Sequence, residues 1–407
     1  MIVLADIQLS PRRDIVEMGW GHPDPALLPV DEIARAAELA LRRNGPRALA
    51  YGAEQGPGCL LEPLAAWLSR REGRPILPAE IFIPRTHQVS EVFITGGVSQ
   101  GLDLLCTLLT RPGDAVLVQS PVYHLALRIF RDHGLELVPV ASDESGLRVD
   151  DLAAALGTLR RAGRRPRFLY LVPTYCNPTG ISLAVERRAA LIRLAEAHAL
   201  TILEDDVYRE LWYDVPPPIP LQGLAEPGTV IRLGSFSKIL APGLRLGWLV
   251  AAPEMVARCV DSGLLDSGGG VNHFTAHVAA AYLDLGLLDG HIERLRTTYR
   301  ERRDALLEAL VRFLSPDCRW TVPGGGFFAW VQLPEGYDSD ALLPVAEQAG
   351  VSYVPGARFC TGGGGERHLR LAFSLLSAAE LAEGARRLGE VIHSAASRAP
   401  AGGARYG

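Results

Sequence analysis

A single lysine, Lys238, stands among the 41 lysine and arginine residues of this chain. An amine can lose its proton and become a nucleophile, whereas a guanidinium cannot because its pKa is too high. A lysine in an apolar setting at the end of a strand is therefore a candidate for Schiff-base chemistry with a carbonyl group. The alternative is a surface lysine without a chemical role.

Two hydroxyls and a guanidinium accompany this lysine. Ser235 and Ser237 precede it, and Arg245 follows it after a Pro-Gly turn. Hydroxyl and guanidinium groups together are typical of a phosphate site, because both donate hydrogen bonds to phosphate oxygens. These neighbours favour the chemical interpretation of Lys238.

Other polar residues follow strand-like runs. Asn177 lies in the turn at 173–180, which as a turn needs no further function. Asp205 and Tyr208 lie in the segment 203–209, whose acids end a strand-like run. An acid that ends a buried strand is costly unless it is paired, and a protonated cofactor nitrogen would pair with it.

A Gly-Gly turn at 95–100 contains Ser99 and Gln100 and lies between a strand-like run and a helix-like run. Helix N-termini bind phosphate through free N–H groups and the helix dipole. The turn matches neither Gly-x-Gly-x-x-Gly nor a P-loop, so it does not indicate a nucleotide site. On its own, such a turn needs no ligand.

These segments require a scaffold that brings strand ends together. The strand-like runs are 115–119, 168–172, 201–204, 230–233 and 247–251. Helical patterns separate them, and this alternation predicts βαβ units with a mostly parallel sheet. Ligands of such sheets bind at the carboxyl ends of the strands, which is where the polar residues fall.

The C-terminal part has a different pattern. Residues 278–311 are helical in pattern, and the basic run at 294–303 predicts a solvated helix face. Residues 320–392 mix strand and helix patterns in the manner of a small α+β domain. The N-terminal 45 or so residues are predicted to wrap onto that small domain.

The composition excludes several classes of protein. The chain has 407 residues, 48% of them apolar, with a formal net charge of −5, which argues against a basic face for nucleic acid. Its six cysteines are too far apart for a metal knuckle or a Cys-x-x-Cys pair, so we predict free thiols and no metal. Neither a signal peptide nor an apolar run of about 20 residues is visible, which predicts a cytoplasmic protein without a membrane segment.

Taken together, the motifs resemble the fold-type I pyridoxal-phosphate (PLP) enzymes, the class I and II aminotransferases. The resemblance rests on Ser-x-Ser-Lys…Pro-Gly-x-Arg-x-Gly at 235–247, Asn-Pro-Thr-Gly at 177–180 and Glu-Asp-Asp-x-Tyr at 204–208. It extends from about residue 19 to residue 392.

Within that family, the chain looks most like the branch of 2-aminoadipate aminotransferases and the aminotransferase-like half of MocR-type regulators. The segments that support this branch are 21–29, 50–52 and 365–372.

The resemblance implies a role for each matching residue. The implied cofactor site consists of Ser99, Gln100, Tyr123, Asn177, Asp205, Tyr208, Ser235, Ser237, Lys238 and Arg245, with Tyr51 contributed by a partner subunit. Lys238 would form the Schiff base and move the substrate proton, and Asp205 would keep the pyridine nitrogen protonated. Tyr208 and Asn177 would hydrogen-bond the ring oxygen.

The remaining implied residues act on the other ring face and on the substrate. Tyr123 would stack on the cofactor ring. Arg370 would hold the substrate α-carboxylate through two hydrogen bonds, with Asn177 and Gly21 beside it.

The implied architecture is an α/β fold with two domains. Residues 45–280 would form a large PLP-binding domain, with a mostly parallel seven-stranded sheet between layers of helices. Residues 1–44 and 281–395 would form a small α+β domain with an N-terminal arm, and residues 396–407 a frayed tail. The resemblance also implies a homodimer with shared active sites.

The predicted function is transfer of the amino group of an α-amino acid to a 2-oxo acid. The alternative is a PLP enzyme of specialised biosynthesis that catalyses elimination or replacement, cyclisation, racemisation or decarboxylation. A remoter alternative is a non-catalytic effector-sensing domain of a regulator. About 18 residues precede the first match, which is too short for a DNA-binding domain.

Some segments depart from the family pattern. Cys176 stands where relatives often carry an amide, as a functional thiol or as a packing substitution. The stretch 79–94 is predicted to be a surface insertion, and the Gly-rich loop 267–275 either faces a partner's site through Asn272 and His273 or is only structural. No N-terminal arginine suits a second substrate carboxylate.

Overall fold

A computed structural model of the chain describes Gln8, Arg12, residues 14–76 and residues 91–396. Two predicted segments fall mainly outside the described residues. They are the insertion at 79–94, of which only 91–94 are described, and the tail at 396–407, of which only residue 396 is described.

Twelve helices occur in the described residues. They are α1 (Val30–Asn44), α2 (Gly58–Glu72), α3 (Val98–Leu109), α4 (His124–Asp132), α5 (Val149–Arg161), α6 (Val185–Ala197), α7 (Pro253–Val260), α8 (Gly263–Gly268), α9 (His273–Asp284), α10 (Leu287–Phe313), α11 (Ser339–Gln348) and α12 (Ala378–Ala396). None of these helices is long and apolar enough to cross a membrane.

The strands of the same residues alternate with the helices as the sequence predicts. They are β1 (Val16–Glu17), β2 (Val92–Thr95), β3 (Ala115–Ser120), β4 (Glu136–Asp143), β5 (Gly146–Leu147), β6 (Phe168–Leu171), β7 (Thr201–Asp205), β8 (Val230–Ser235), β9 (Gly247–Val250), β10 (Arg319–Trp320), β11 (Phe328–Gln332), β12 (Val351–Ser352), β13 (Val354–Pro355) and β14 (His368–Ala372).

The large sheet has the strand order β2-β9-β8-β7-β6-β3-β4-β5. The strands from β8 to β4 run parallel, and β9 is antiparallel to both of its neighbours. The two-residue β5 forms a short antiparallel hairpin with β4 and extends the predicted seven-stranded sheet at its edge. Only one of the seven longer strands is therefore reversed.

Helices cover both faces of this sheet, which explains the nearly continuous apolar runs of its strands. Val116 and Val118 of β3 belong to a core cluster with α3, α4 and α7. Ala115 and Leu117 of the same strand face the other way and belong to a cluster with α5 and α6. The predicted sandwich of helices around the sheet is confirmed.

A second, antiparallel sheet has the order β10-β11-β14-β13. Next to it, β1 pairs in parallel with β12, so residues near the N-terminus join the C-terminal part of the chain. The long helices α10 and α12 pack against each other, whereas α1 packs against α9. The domain boundaries at residues 44 and 280 stay a prediction.

The basic run on α10 departs from expectation. Arg296 and Arg303 are only 4% and 6% exposed. Arg296 pairs with Glu210, and Arg303 pairs with Asp214. The prediction of a solvated face is wrong at these two positions, because ion pairs with a distant loop allow the guanidiniums to be buried.

Candidate active site

The ends of three neighbouring strands converge at one edge of the large sheet. Strands β6, β7 and β8 run parallel, and β7 ends at Asp205. Asn177 follows β6, and Lys238 follows β8. The parallel order therefore brings together three residues that are up to 61 positions apart in the sequence.

Lys238 lies half-buried between the N-terminal segment and the small sheet. Its Nζ donates to the Gly21 carbonyl at 3.4 Å and lies 5.5 Å from the centre of the Phe327 ring. The pKa of Lys238 is lowered to about 8, first because removal from water disfavours the charged amine and then because Arg370 is nearby. A neutral amine is thus available close to neutral pH.

Asp205 has one occupied and one vacant oxygen. Its Oδ2 accepts a hydrogen bond from the Tyr170 hydroxyl at 2.7 Å, and its buried Oδ1 has no partner among the described residues. Burial raises the pKa of Asp205 to about 6. Since an unsatisfied buried oxygen is costly, Oδ1 is suited to a donor from a bound group, such as a protonated ring nitrogen.

Two tyrosines lie close to this acid. Tyr208 is buried with its ring edge-on to Phe327 and Phe328, at centroid distances of 5.4 and 5.9 Å. Tyr123 lies between β3 and α4, as the residue before the first of α4, and is half-buried; burial and Asp205 raise its pKa to about 12. The phenol of Tyr123 therefore keeps its proton at neutral pH and can donate.

The Gly-Gly turn and Arg245 form a corner whose hydrogen-bond donors suit an anion. Helix α3 begins after Gly97, whose φ is 88°, and no side chain caps its first N–H groups. The Arg245 Nη2 donates to the Gly96 carbonyl at 3.3 Å. A residue with a Cβ would be strained at a φ of 88°, so the turn favours glycine at position 97.

The serine and glutamine side chains that the sequence assigns to this corner differ in their contacts. The Ser235 Oγ accepts from the Ser237 N–H at 3.0 Å and donates to a backbone carbonyl. The Gln100 Oε1 accepts from the Gly96 N–H at 3.0 Å. Ser235 and Gln100 therefore shape the two turns, while Ser99 lies exposed in the first turn of α3.

Arg370 lies in β14 of the small sheet and faces the strand ends. It donates from Nη1 to the Asn177 Oδ1 at 2.8 Å and from Nη2 to the Gly19 carbonyl at 2.6 Å, while its buried Nε has no partner. Its guanidinium lies 4.2 Å from the centre of the Phe328 ring. A Cβ on Gly21 would lie 2.4 Å from the Phe328 Cζ, so glycine lets this segment pass the ring.

Tyr51 is not among the residues that converge at the strand ends. Its side chain is 89% exposed. The backbone around it packs on the Gly-rich loop, where a Cβ on Gly270 would lie 2.3 Å from the Ala53 carbonyl. Asn272 of that loop donates to the Arg245 carbonyl, which links the exposed segment to the corner formed by Arg245 and the Gly-Gly turn.

Cys176 packs within the core rather than at the surface. It is fully buried, and burial raises its pKa to about 12. Such a thiol is unreactive, which favours the packing interpretation. Within the described residues, no group of three or more His, Cys, Asp or Glu side chains is arranged to hold a metal.

Two residues of the site escaped the sequence analysis. Tyr170 lies in β6 and reaches Asp205 through the pairing of β6 with β7, which no local pattern in the sequence records. His22 has a buried Nδ1 without a partner, and burial together with Lys238 and Arg370 lowers its pKa. No local signal marks it, because both cations are more than 200 residues away in the sequence.

The free groups fit PLP. Asp205 Oδ1 is an acceptor without a donor, and Arg370 Nε is a donor without an acceptor. The uncapped N-terminus of α3 offers N–H groups to a phosphate. Lys238 supplies an amine whose pKa is lowered to about 8.

Comparisons with known proteins match nearly the whole chain. The family model described as aminotransferase class I and II matches residues 14–388. The chain is 35% identical to aromatic-amino-acid aminotransferase 1 of Thermococcus litoralis, over 95% of this chain and 90% of that protein.

Two solved structures show the same fold. The multiple substrate aminotransferase of Thermococcus profundus has a TM-score of 0.88 and 35% identity, over 95% of this chain and 93% of that one. The α-aminoadipate aminotransferase LysN of Thermus thermophilus, complexed with N-(5'-phosphopyridoxyl)-L-leucine, has a TM-score of 0.81 and 34% identity. That comparison covers 95% of this chain and 94% of LysN.

Proposed function

Because the chain belongs to the class I and II aminotransferase family and is a PLP-dependent aminotransferase, we propose which of its residues hold the cofactor and which bind the substrate. The proposal rests on the position and the lowered pKa of Lys238. This residue is the one lysine of the sequence, it lies at the convergence of three strand ends, and its pKa is lowered to about 8.

The cofactor ring is held between an acid and two phenols. Asp205 Oδ1 accepts from the protonated ring nitrogen, Tyr123 stacks on the ring, and Tyr208 with Asn177 hydrogen-bonds its oxygen. When bound, PLP supplies an aldehyde for the amino group and a ring that withdraws electrons from the substrate.

The phosphate is held by the α3 N-terminus together with polar side chains. Ser237 and Arg245 donate to it directly, with Ser99 of the first turn. Ser235 and Gln100 hold the backbone of the two turns in place. This assignment divides the implied phosphate ligands into direct donors and supporting residues.

The substrate lies between Arg370 and Lys238. Arg370 takes the α-carboxylate with its free Nε, and the backbone from Gly19 to Gly21 lines the gap, because its carbonyls contact both cations. Lys238 Nζ would then take the proton from the substrate α-carbon and pass it to the cofactor, acting first as general base and then as general acid.

Amino acids with aromatic side chains are proposed as substrates. Phe328 and Phe359 flank the Arg370 guanidinium at 4.2 and 4.9 Å, and Trp20 lies on the lining segment. The relative from Thermococcus litoralis is named for aromatic amino acids. A comparison of kcat/KM for phenylalanine, 2-aminoadipate and alanine tests this, and preference for 2-aminoadipate would contradict it.

The active unit is proposed to be a cytoplasmic homodimer with shared sites. The exposure of Tyr51, at 89%, supports a role for this side chain outside its own subunit. Tyr51 would reach the phosphate in the partner's site.

Lys238→Ala is the test of the central assignment. After borohydride treatment, the wild type should carry one PLP-derived adduct per chain and Lys238→Ala none, since no other lysine exists. Lys238→Arg, which keeps the charge, serves as the folding control and should also lack the adduct. An adduct of equal stoichiometry in either variant would contradict the assignment.

A single-turnover experiment separates transamination from the alternative PLP reactions. Without an amino acceptor, a transaminase releases about one equivalent of 2-oxo acid per site and then stops, because the amino group stays on the cofactor. In elimination, decarboxylation or racemisation the cofactor regains its starting form, so consumption of the amino acid or formation of product would continue past one equivalent per site.

A further inference from the structure

Tyr170, the hydrogen-bond partner of Asp205, is the residue of the site that the proposed roles do not use. Both side chains are buried, at 0% and 3% exposure, and one hydrogen bond of 2.7 Å joins them. The hydroxyl occupies Oδ2 and leaves Oδ1 without a partner. The Tyr170 hydroxyl therefore holds the carboxylate through Oδ2 and leaves Oδ1 available to a further donor.

The sheet itself fixes this geometry. Tyr170 in β6 is paired with Leu203 in β7, and Asp205 lies two residues beyond Leu203 on the same face. The Phe130 ring of α4 packs edge-on to the Tyr170 ring at a centroid distance of 5.2 Å. The phenol therefore cannot swing away without disturbing the core.

We propose that Tyr170 is a positioning residue that fixes the Asp205 carboxylate and stabilises its charged form, so that Oδ1 alone meets the cofactor's protonated ring nitrogen. The inference rests on the proposed role of Asp205. Strand β6, which precedes the Asn-Pro turn, would therefore position Asp205 as well as pack in the core.

Among the groups around Asp205, the Tyr170 hydroxyl favours the carboxylate charge most. The titratable or charged groups that interact with Asp205 are Tyr123, Tyr170, Cys176, Asp206, Tyr208 and Lys238. Burial and Asp206 disfavour the carboxylate charge, while the Tyr170 hydroxyl, the Val207 N–H and Lys238 favour it. Burial keeps the pKa of Tyr170 well above its ordinary value, so its hydroxyl remains a donor.

Tyr170→Phe removes only the donor, and the chain offers a matched control. The Tyr282 hydroxyl in α9 is also buried and has no hydrogen-bond partner, so Tyr282→Phe deletes an oxygen of equal size elsewhere. The apoproteins are titrated with pyridoxamine 5'-phosphate, which cannot bond covalently to Lys238. Thermal unfolding of each apoprotein checks that it is folded.

The dissociation constant for pyridoxamine 5'-phosphate should rise roughly tenfold to hundredfold in Tyr170→Phe, the effect of losing a hydrogen bond to a charged group. Tyr282→Phe should stay within about twofold of the wild type. The midpoint of the pH dependence of binding should move upward in Tyr170→Phe, because the carboxylate loses a group that favours its charge. At saturating cofactor, kcat should fall while KM for the amino acid stays near the wild-type value.

Asp205→Asn separates this inference from the proposed function. If Asp205→Asn weakens binding but Tyr170→Phe behaves like Tyr282→Phe, the positioning role is wrong and the role of Asp205 stands. If Asp205→Asn leaves binding unchanged, the proposed role of Asp205 fails, and the inference with it.

Discussion

At the scale of single residues, the site places ionisable side chains where water cannot solvate their charged forms. Lys238, Asp205 and Arg370 all have shifted pKa values, and burial is the first cause in each case. The pKa of the acid is raised and the pKa values of the two bases are lowered, so all three groups are shifted toward their neutral forms. A bound cofactor and substrate would restore the missing opposite charges.

Arg370→Lys tests the carboxylate clamp. Lysine lacks the planar fork that contacts Asn177, Gly19 and a carboxylate together, so KM for an α-amino acid should rise roughly tenfold to hundredfold while the cofactor stays bound. Arg367→Lys is the matched control, because that guanidinium donates only to the Leu333 carbonyl. Equal KM values for the two variants would remove Arg370 from the substrate site.

Asp205 also predicts a pH dependence of the apoprotein's stability. Its pKa is raised in the folded state to about 6, so folding favours the protonated acid. The free energy of unfolding of the wild type should therefore fall, relative to Asp205→Asn, as the pH rises from about 4 to about 6, and the difference should then level off. Urea unfolding of both apoproteins across that range measures it, and a constant difference would show that Asp205 does not titrate there.

At the scale of elements, the structure divides a helical stretch that the sequence pattern presents as continuous. Helix α9 ends at Asp284 and α10 begins at Leu287, with Gly286 between them at a φ of 66°. The helical period continues across the break because both helices bury apolar residues. Only the backbone conformation of Gly286 marks the boundary.

Two glycines near this break should respond in opposite ways to alanine. Gly290→Ala, inside α10, should raise the free energy of unfolding by about 0.5–1 kcal/mol, because alanine favours helix. Gly286→Ala should lower it by about 1 kcal/mol, because its left-handed conformation strains a residue with a Cβ. Neither added Cβ meets an atom within 4 Å, so packing cannot explain a difference. Urea unfolding of the holoprotein provides the measurement, and effects of equal sign would contradict the backbone explanation.

At the scale of the whole molecule, two distant parts of the chain complete the site from opposite sides. The large sheet supplies Asp205 and Lys238, and the small sheet supplies Arg370. The N-terminal segment contacts both, through the Gly19 and Gly21 carbonyls. The site therefore depends on how these parts are held together, and in our proposal also on a partner subunit.

Mixed dimers test the shared site. If Tyr51 acts in the partner's site, a heterodimer of Lys238→Ala and Tyr51→Ala contains one intact site and should show roughly half of the wild-type activity. A heterodimer of the wild type with the double variant should then have no intact site. The reverse result, with activity only in the second heterodimer, would place Tyr51 in its own subunit's site. Light scattering confirms that each mixture is dimeric.

The sequence by itself determined the alternation of strands and helices, the single lysine and the polar residues at the strand ends. These features are local, because periodicity, turn residues and strand ends are all written in short stretches of chain. They were sufficient to predict the parallel sheet and the convergence of Asn177, Asp205 and Lys238.

Only the tertiary structure decided which groups touch. Arg370 and Asn177 are 193 positions apart, and Arg296 is buried because it meets Glu210 from a distant loop. Tyr170 in β6 likewise reaches Asp205 Oδ2 because it pairs with Leu203, two residues before Asp205 in the neighbouring strand β7. Burial and hydrogen bonding arise between segments that are remote in sequence, so no local pattern records them, although they set the charges on which the chemistry depends.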